Sequence, residues 1–367
     1  MSRGSRVRFP DAQLKQIRAN AEAGHPESQF LLSQICQQNG DADGMIRWLR
    51  EASANGVPDA FTALGHCCEQ GAGVERDIPA ALEYFDEALA RGSVPAAYRK
   101  AELLYKGRDG ADHEQHIREL LGQAAAAGFE PAIRTIGYLA AQSGRPGEGL
   151  SPAVGLYPAG DANHRQDINT EPAIAVFDNV LDPGDCAYLV NLSRPFLRHS
   201  DVIDPDSQQD GMRSDVRTSS GTFLPVEVVD IIARYIELKI VQAVGEDLAR
   251  SEPMSILRYE PGEYYRPHYD YFTPELNVSA GLMEDGGQRV ASAVTYLSVP
   301  AEGGGTSFPE LDIAVPPALG ATLWFRNCDT DGNPDPRSLH AGDTVTQGEK
   351  WVVTKWFREE STHYANF

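Results

Sequence analysis

The chain lacks what marks several large protein classes. Nowhere do 18 apolar residues follow one another, and Arg3, Arg6 and Arg8 have no apolar run behind them, so neither a membrane span nor an export signal is expected. Cysteine is scarce. Cys36, Cys67, Cys68, Cys186 and Cys328 are odd in number and include no C-x-x-C pair. That argues against a disulfide framework and a cysteine zinc site, and predicts reduced thiols in a cytoplasmic protein. Positive charge is also short: 32 Lys and Arg face 53 Asp and Glu, a formal net charge of -21. Such a field repels nucleic acid and anionic membrane, so neither is expected as a partner.

What is present suits a folded chain of two domains. At roughly 150 residues per domain, 367 residues favour two over one. Hydrophobic residues at 41% and charged residues at 23% are ordinary for a globular protein, which excludes a disordered chain.

The first 145 residues carry a repeat. Gly56, Gly92 and Gly128 stand 36 apart, with Gly24 a shorter step upstream. Four residues after each comes a small side chain, Ser28, Ala60, Ala96 or Ala132; four before the last three stand Ala52, Ala88 and Ala124. Leu49, Phe85 and Leu121 keep the same register. A period of this length belongs to stacked helical hairpins, with glycine in a left-handed turn and alanine where helices cross closely. The segments GHCCEQGAGVERD and AALEYFDEALARG, from Gly65 to Gly92, resemble the Sel-like repeat, a relative of the tetratricopeptide repeat. The resemblance implies a surface for a peptide or protein partner; a purely stabilising cap is the alternative.

A Gly- and Pro-rich stretch then breaks the periodicity, and a linker is expected over 146–171. Beyond it, Ile174 to Val180 reads as a strand, Asp182 and Pro183 as a helix start, and Val228, Ile231, Ile232, Tyr235 and Ile236 as an apolar helix stripe. From Met254 onward short alternating runs predict an antiparallel sandwich or barrel. The fold class is therefore α+β and multidomain: a helical repeat solenoid over 1–145 and a mostly β domain over 172–367.

His268 and Asp270 stand two apart in YYRPHYDYF, so on a strand both side chains point the same way. His340 lies in LHAGD, and ten residues later Lys350 opens a strand on which Lys350, Val352, Thr354 and Trp356 share a face. Two imidazoles and a carboxylate on one face of an octahedron leave three positions open, the arrangement of non-haem Fe(II) oxygenases. A buried lysine needs an anion, and the distal carboxylate of 2-oxoglutarate is one that reaches across such a cavity.

Several ordered motifs carry a resemblance to the prolyl 4-hydroxylase family of Fe(II)/2-oxoglutarate dioxygenases over about residues 172–360. They are RTSSGTFLP from Arg217, Tyr259-x-x-Gly262-x-x-Tyr265-x-x-His268-x-Asp270, GGQRVASAVTYL, GGGTSFP, RNCDTDGNPDPRSLHAG and GEKWVVTKW. The resemblance implies a double-stranded β-helix, the cupin-like jelly roll. It implies His268, Asp270 and His340 as metal and catalytic ligands, and Lys350 as partner of the co-substrate's C5 carboxylate. Tyr259 matches a tyrosine near the co-substrate, and Ser292 replaces a threonine that bonds the same carboxylate. Tyr296 and Thr354 share faces with Ser292 and Lys350 and either line the pocket or fill the barrel. Arg217 and Ser219 match a loop that folds over bound peptide. Tyr265 and Trp356 match aromatics near the target ring, with core packing as the alternative. Gly305 departs from the acidic residue common in the GGxT motif.

The implied cofactors are Fe(II), 2-oxoglutarate and O2, with ascorbate as a candidate reductant. The implied reaction is hydroxylation of a prolyl residue in a peptide or protein held in part by the repeats, with release of succinate and CO2. Two alternatives stay open: hydroxylation of another residue or a small molecule, and a repeat-based scaffold whose second domain senses iron or oxygen.

Overall fold

The computed structural model describes residues 10–107, 113–159, 164–199, 216–225, 228–273 and 282–366. The chain divides into two compact units, Met1–Leu156 and Tyr157–Phe367.

The first unit is a stack of helical hairpins. Its described helices are α1 (Asp11–Glu22), α2 (Pro26–Gln38), α3 (Ala42–Ala54), α4 (Pro58–Gln70), α5 (Ile78–Ala90), α6 (Val94–Lys106), α7 (Glu114–Ala126) and α8 (Glu130–Gln142). The glycine register is a turn register: Gly56, Gly92 and Gly128 have φ of 84°, 85° and 81°. In each turn the amide after the glycine returns to the carbonyl of the alanine four residues before it, as Val57 to Ala52, Ser93 to Ala88 and Phe129 to Ala124. This left-handed cap satisfies orphan carbonyls at the helix end. The alanines on both sides, Ala52, Ala60, Ala88, Ala96, Ala124 and Ala132, are all fully buried, where a larger side chain would push paired helices apart. Leu49, Phe85 and Leu121 fill the space between them.

The expected linker is narrower in the structure. Arg118 donates to the carbonyls of Ser151 and Val154, at 3.2 and 2.6 Å, and the Tyr105 hydroxyl donates to that of Leu156 at 2.8 Å. Residues 151–156 are thus anchored to the helical unit, while 165–170 already form a strand of the second. Loss of helical periodicity signals irregular backbone, which still finds hydrogen-bond partners when it packs.

The second unit is an antiparallel jelly roll. Its strands are β1 (Arg165–Thr170), β2 (Ala173–Phe177), β3 (Arg198–His199), β4 (Ser220–Phe223), β5 (Ser255–Tyr259), β6 (Tyr265–His268) and β7 (Arg289–Ser298). They continue as β8 (Glu302–Gly303), β9 (Thr306–Phe308), β10 (Ile313–Val315), β11 (Thr322–Arg326), β12 (His340–Gly342), β13 (Val345–Gln347) and β14 (Lys350–Arg358). The major sheet runs β1-β2-β11-β7-β14-β5-β4-β3, the minor sheet β10-β9-β12-β6, and β13 pairs with β8. Between them lies a core that includes Leu257, Val294, Phe308, Leu323, Phe325 and Val352.

Helices α9 (Pro183–Ser193) and α10 (Ile231–Val244) both contact β7 of the major sheet. Asp182 caps α9 reciprocally with Asp185, as the Asp-Pro pair predicts. Ile231, Ile232, Tyr235 and Ile236 are buried on α10, whereas Val228 precedes the helix. All nine residues of β14 are buried, because this central strand is covered on both faces.

Candidate active site

The minor sheet brings the three candidate ligands together. Pairing of β12 with β6 sets His340 opposite His268, and Asp270 follows β6 by two residues. One donor atom from each lies within 4.8 Å of the others. The Nε2 atoms of His268 and His340 stand 3.7 and 3.6 Å from the two oxygens of Asp270.

Each imidazole is fixed from behind. Nδ1 of His268 bonds the carbonyl of Arg266 at 2.9 Å, and Nδ1 of His340 bonds that of Ser338 at 3.0 Å. A carbonyl only accepts, so both Nδ1 atoms carry the proton and both Nε2 lone pairs face the cluster, the tautomer a metal requires. Tyr265 stacks on His268 at 3.5 Å between centroids, and Phe325 packs 4.6 Å from His340. Burial, followed by the neighbouring His340, pushes the His268 pKa down to about 3, which keeps it neutral. Burial opposes ionisation of Asp270 most strongly, yet His340 and His268 together hold its carboxyl below the usual range. Two imidazole nitrogens and one carboxylate form a donor set that fits Fe(II).

Lys350 stands elsewhere in the same pocket. Its Nζ donates to the Gly305 carbonyl at 3.1 Å and lies 5.2 and 5.5 Å from the ring centroids of Tyr259 and Tyr296. Among the described residues no carboxylate comes within ion-pair distance, and burial lowers its pKa to about 8. A buried ammonium with so few partners suits an incoming anion.

Tyr259, Tyr265, Arg217, Thr354 and Trp356 line this pocket together with the triad and Lys350. Arg217 reaches over the Tyr265 ring at 5.3 Å and donates from Nε to the Ser219 hydroxyl at 3.1 Å. Ser219 is fully buried and accepts from Arg217. Trp356 lies beneath the Arg289 guanidinium at 4.0 Å and beside the exposed ring of Phe223 at 6.0 Å. Its buried indole N–H has no hydrogen-bond partner among the described residues.

Ser292 departs furthest from expectation. Expected at the co-substrate's distal carboxylate, it instead donates to Oδ2 of Asp270 at 2.6 Å. The register explains why: Ser292 pairs with Trp356, six residues along β14 from Lys350 and on the order of 20 Å of strand away. Sharing a face does not place two side chains at the same depth. Thr306 lines the pocket with Lys350, directly follows Gly305, whose carbonyl accepts from the amine, and its hydroxyl lies 2.9 Å from that of Tyr296. Tyr296 thus frames the amine and holds Thr306. Only the GGGTSFP motif pointed to Thr306; nothing in the sequence marked Phe223 or Asn327.

The chain is similar to known proteins in both halves. The profile of the 2OG-Fe(II) oxygenase superfamily matches residues 254–358, a span that holds the triad and Lys350. Prolyl 4-hydroxylase 1 of Arabidopsis thaliana is 39% identical over 209 residues, covering 53% of this chain and 72% of that protein. Among solved structures, the viral collagen prolyl hydroxylase of Paramecium Bursaria Chlorella virus-1, in complex with 2OG, is 28% identical. That match covers 50% of this chain and 95% of the viral one, with a TM-score of 0.38. A Sel1 repeat protein from Oxalobacter formigenes is 29% identical over 33% of this chain and 95% of its own, with a TM-score of 0.28.

Proposed function

The chain belongs to the prolyl 4-hydroxylase family of 2-oxoglutarate-dependent dioxygenases, and on that premise we propose that it hydroxylates prolyl residues in a peptide or protein. Bound Fe(II) and 2-oxoglutarate supply the oxidising power: one atom of O2 enters the substrate C–H bond, the other enters succinate, and CO2 leaves. The chain binds, orients and shields. His268, Asp270 and His340 would hold the metal, while Lys350 and Thr306 would receive the distal carboxylate of the co-substrate. Apolar walls such as Leu257, Val294 and Val352 exclude water.

The observation that carries this reading is one pocket with two chemical ends, a His-Asp-His triad and an ammonium that, among the described residues, has no carboxylate at ion-pair distance. For the substrate, Tyr265 and Trp356 offer flat faces to a proline ring, and the unpaired Trp356 N–H suits a peptide carbonyl. Arg217 folds over this mouth.

Purified protein with Fe(II), 2-oxoglutarate and a proline-rich peptide should add one oxygen to a proline and form one succinate per hydroxylation. Succinate formed while every proline peptide keeps its mass would refute the prolyl assignment. The finer proposal is that the helical repeats hold part of a protein substrate, supported by the extended surface that stacked hairpins present. Removing residues 1–156 should then raise KM for a protein substrate and leave that for a short proline peptide unchanged. A cytoplasmic setting belongs to the same proposal; its support is five free, buried thiols.

A further inference from the structure

Asp270 is held by a chain of two polar residues, Ser292 bonding its carboxylate and Asn327 bonding Ser292. Ser292 and Asn327 are both fully buried. The Asn327 backbone is clamped, its amide on the Val290 carbonyl and its own carbonyl receiving the Asp335 amide, both at 2.9 Å. From that fixed position Nδ2 donates to the Ser292 hydroxyl at 2.9 Å. A hydroxyl has one proton; with its oxygen accepting from Asn327, that proton points to Oδ2 of Asp270, 2.6 Å away. Each oxygen stands near one imidazole, Oδ1 3.7 Å from Nε2 of His268 and Oδ2 3.6 Å from Nε2 of His340, but among the described residues only Oδ2 also receives a hydrogen bond.

This asymmetry matters for a carboxylate beside a metal. A free carboxylate rotates and offers either oxygen or both, and a second oxygen would take one of the three open positions that the co-substrate and O2 need. Burying a serine and an amide here is otherwise costly, since the Oδ1 of Asn327 is left without a partner among the described residues. We infer that Ser292, oriented by Asn327, is a positioning residue that tethers Oδ2 of Asp270 so that the carboxylate presents a single oxygen to the metal. The inference rests on the proposed iron site and adds to it the residues that set its denticity.

The test is titration of the full-length chain with Co(II), without 2-oxoglutarate, read by visible d–d absorption. Ser292→Ala and Ser292→Val should bind Co(II) about 10- to 100-fold more weakly than the unaltered chain, as loss of an outer partner to a ligand does. Ser292→Thr restores the hydroxyl and should bind within about threefold of the unaltered chain, with Asn327→Ala in between. Thr and Val have nearly the same shape, so equal melting temperatures for these two metal-free variants isolate the hydroxyl from packing even if the alanine variant folds poorly. Equal Co(II) affinity for the Thr and Val variants overturns the inference and leaves the metal site standing. Failure of the unaltered chain to take up Co(II) overturns the metal site itself.

Discussion

Two lysines on one strand have opposite fates. Lys355 and Lys350 both lie in β14, five residues apart and therefore on opposite faces, and both are buried. Lys355 points away from the pocket and is matched there: Glu237 accepts from it, and Arg234 and Tyr364 complete a buried ionic cluster around that carboxylate. Lys350 faces the pocket, where its Nζ donates to the Gly305 carbonyl and lies near the Tyr259 and Tyr296 rings, with no carboxylate at ion-pair distance among the described residues. A charge satisfied within the protein is structural, whereas one left short of partners records where a ligand's charge belongs.

The most severe way to break the pocket face is at the triad. Asp270→Ala should abolish succinate formation while leaving the fold intact, which circular dichroism checks. On the opposite face, Lys355→Met should destabilise the second unit by about 3–5 kcal/mol, because Glu237 keeps its buried charge after losing a partner. Denaturant melts of the two variants, side by side, separate function from stability.

Lys350→Met should do the reverse and stabilise the ligand-free protein at neutral pH, by on the order of 3 kcal/mol from a pKa near 8 against an ordinary 10.5. The pH dependence has a definite sign. Below about pH 8 the amine is charged in both folded and unfolded chains, so its burial cost is fully present. Between about 8 and 10.5 only the unfolded chain stays protonated, so stability of the unaltered protein rises and the advantage of Lys350→Met fades. Melting curves across that window that stay parallel would contradict the assignment.

For ligand binding, Lys350→Ala should raise the apparent KM for 2-oxoglutarate roughly 10- to 150-fold, the loss of one charge-assisted pair worth about 1.5–3 kcal/mol. Steady-state kinetics at saturating Fe(II) measure it. The smallest effect belongs to the helical unit. Gly92→Ala meets no atom within 4 Å but sits at φ 85°, so it should cost about 1 kcal/mol through backbone strain alone and leave peptide hydroxylation unchanged.

How far the sequence could be read differs between the two units for a physical reason. In the helical unit each contact recurs every 36 residues, so Gly56, Gly92 and Gly128 announce their turns and Ala60, Ala96 and Ala132 their crossings. In the jelly roll the candidate ligands His268, Asp270 and His340 are legible because their combination within ordered motifs is rare. The place of Ser292 was not, because alternation along a strand reports which face a side chain takes but not how deep it lies or what stands opposite. Asn327 had no local signal, since its partner is 35 residues away.

By itself the order of residues determined the two-unit architecture and the repeat period and marked the three candidate ligands and the pocket lysine, since each follows from local periodicity or from a side chain with few other uses. Strand register decided the rest. It set His340 opposite His268, brought Ser292 to Asp270, put Thr306 in the pocket with Lys350, and left one β14 lysine paired with Glu237 and the other, among the described residues, without a carboxylate at ion-pair distance. Hydrogen-bonded pairing between distant segments sets depth and neighbours, and no single segment carries that information.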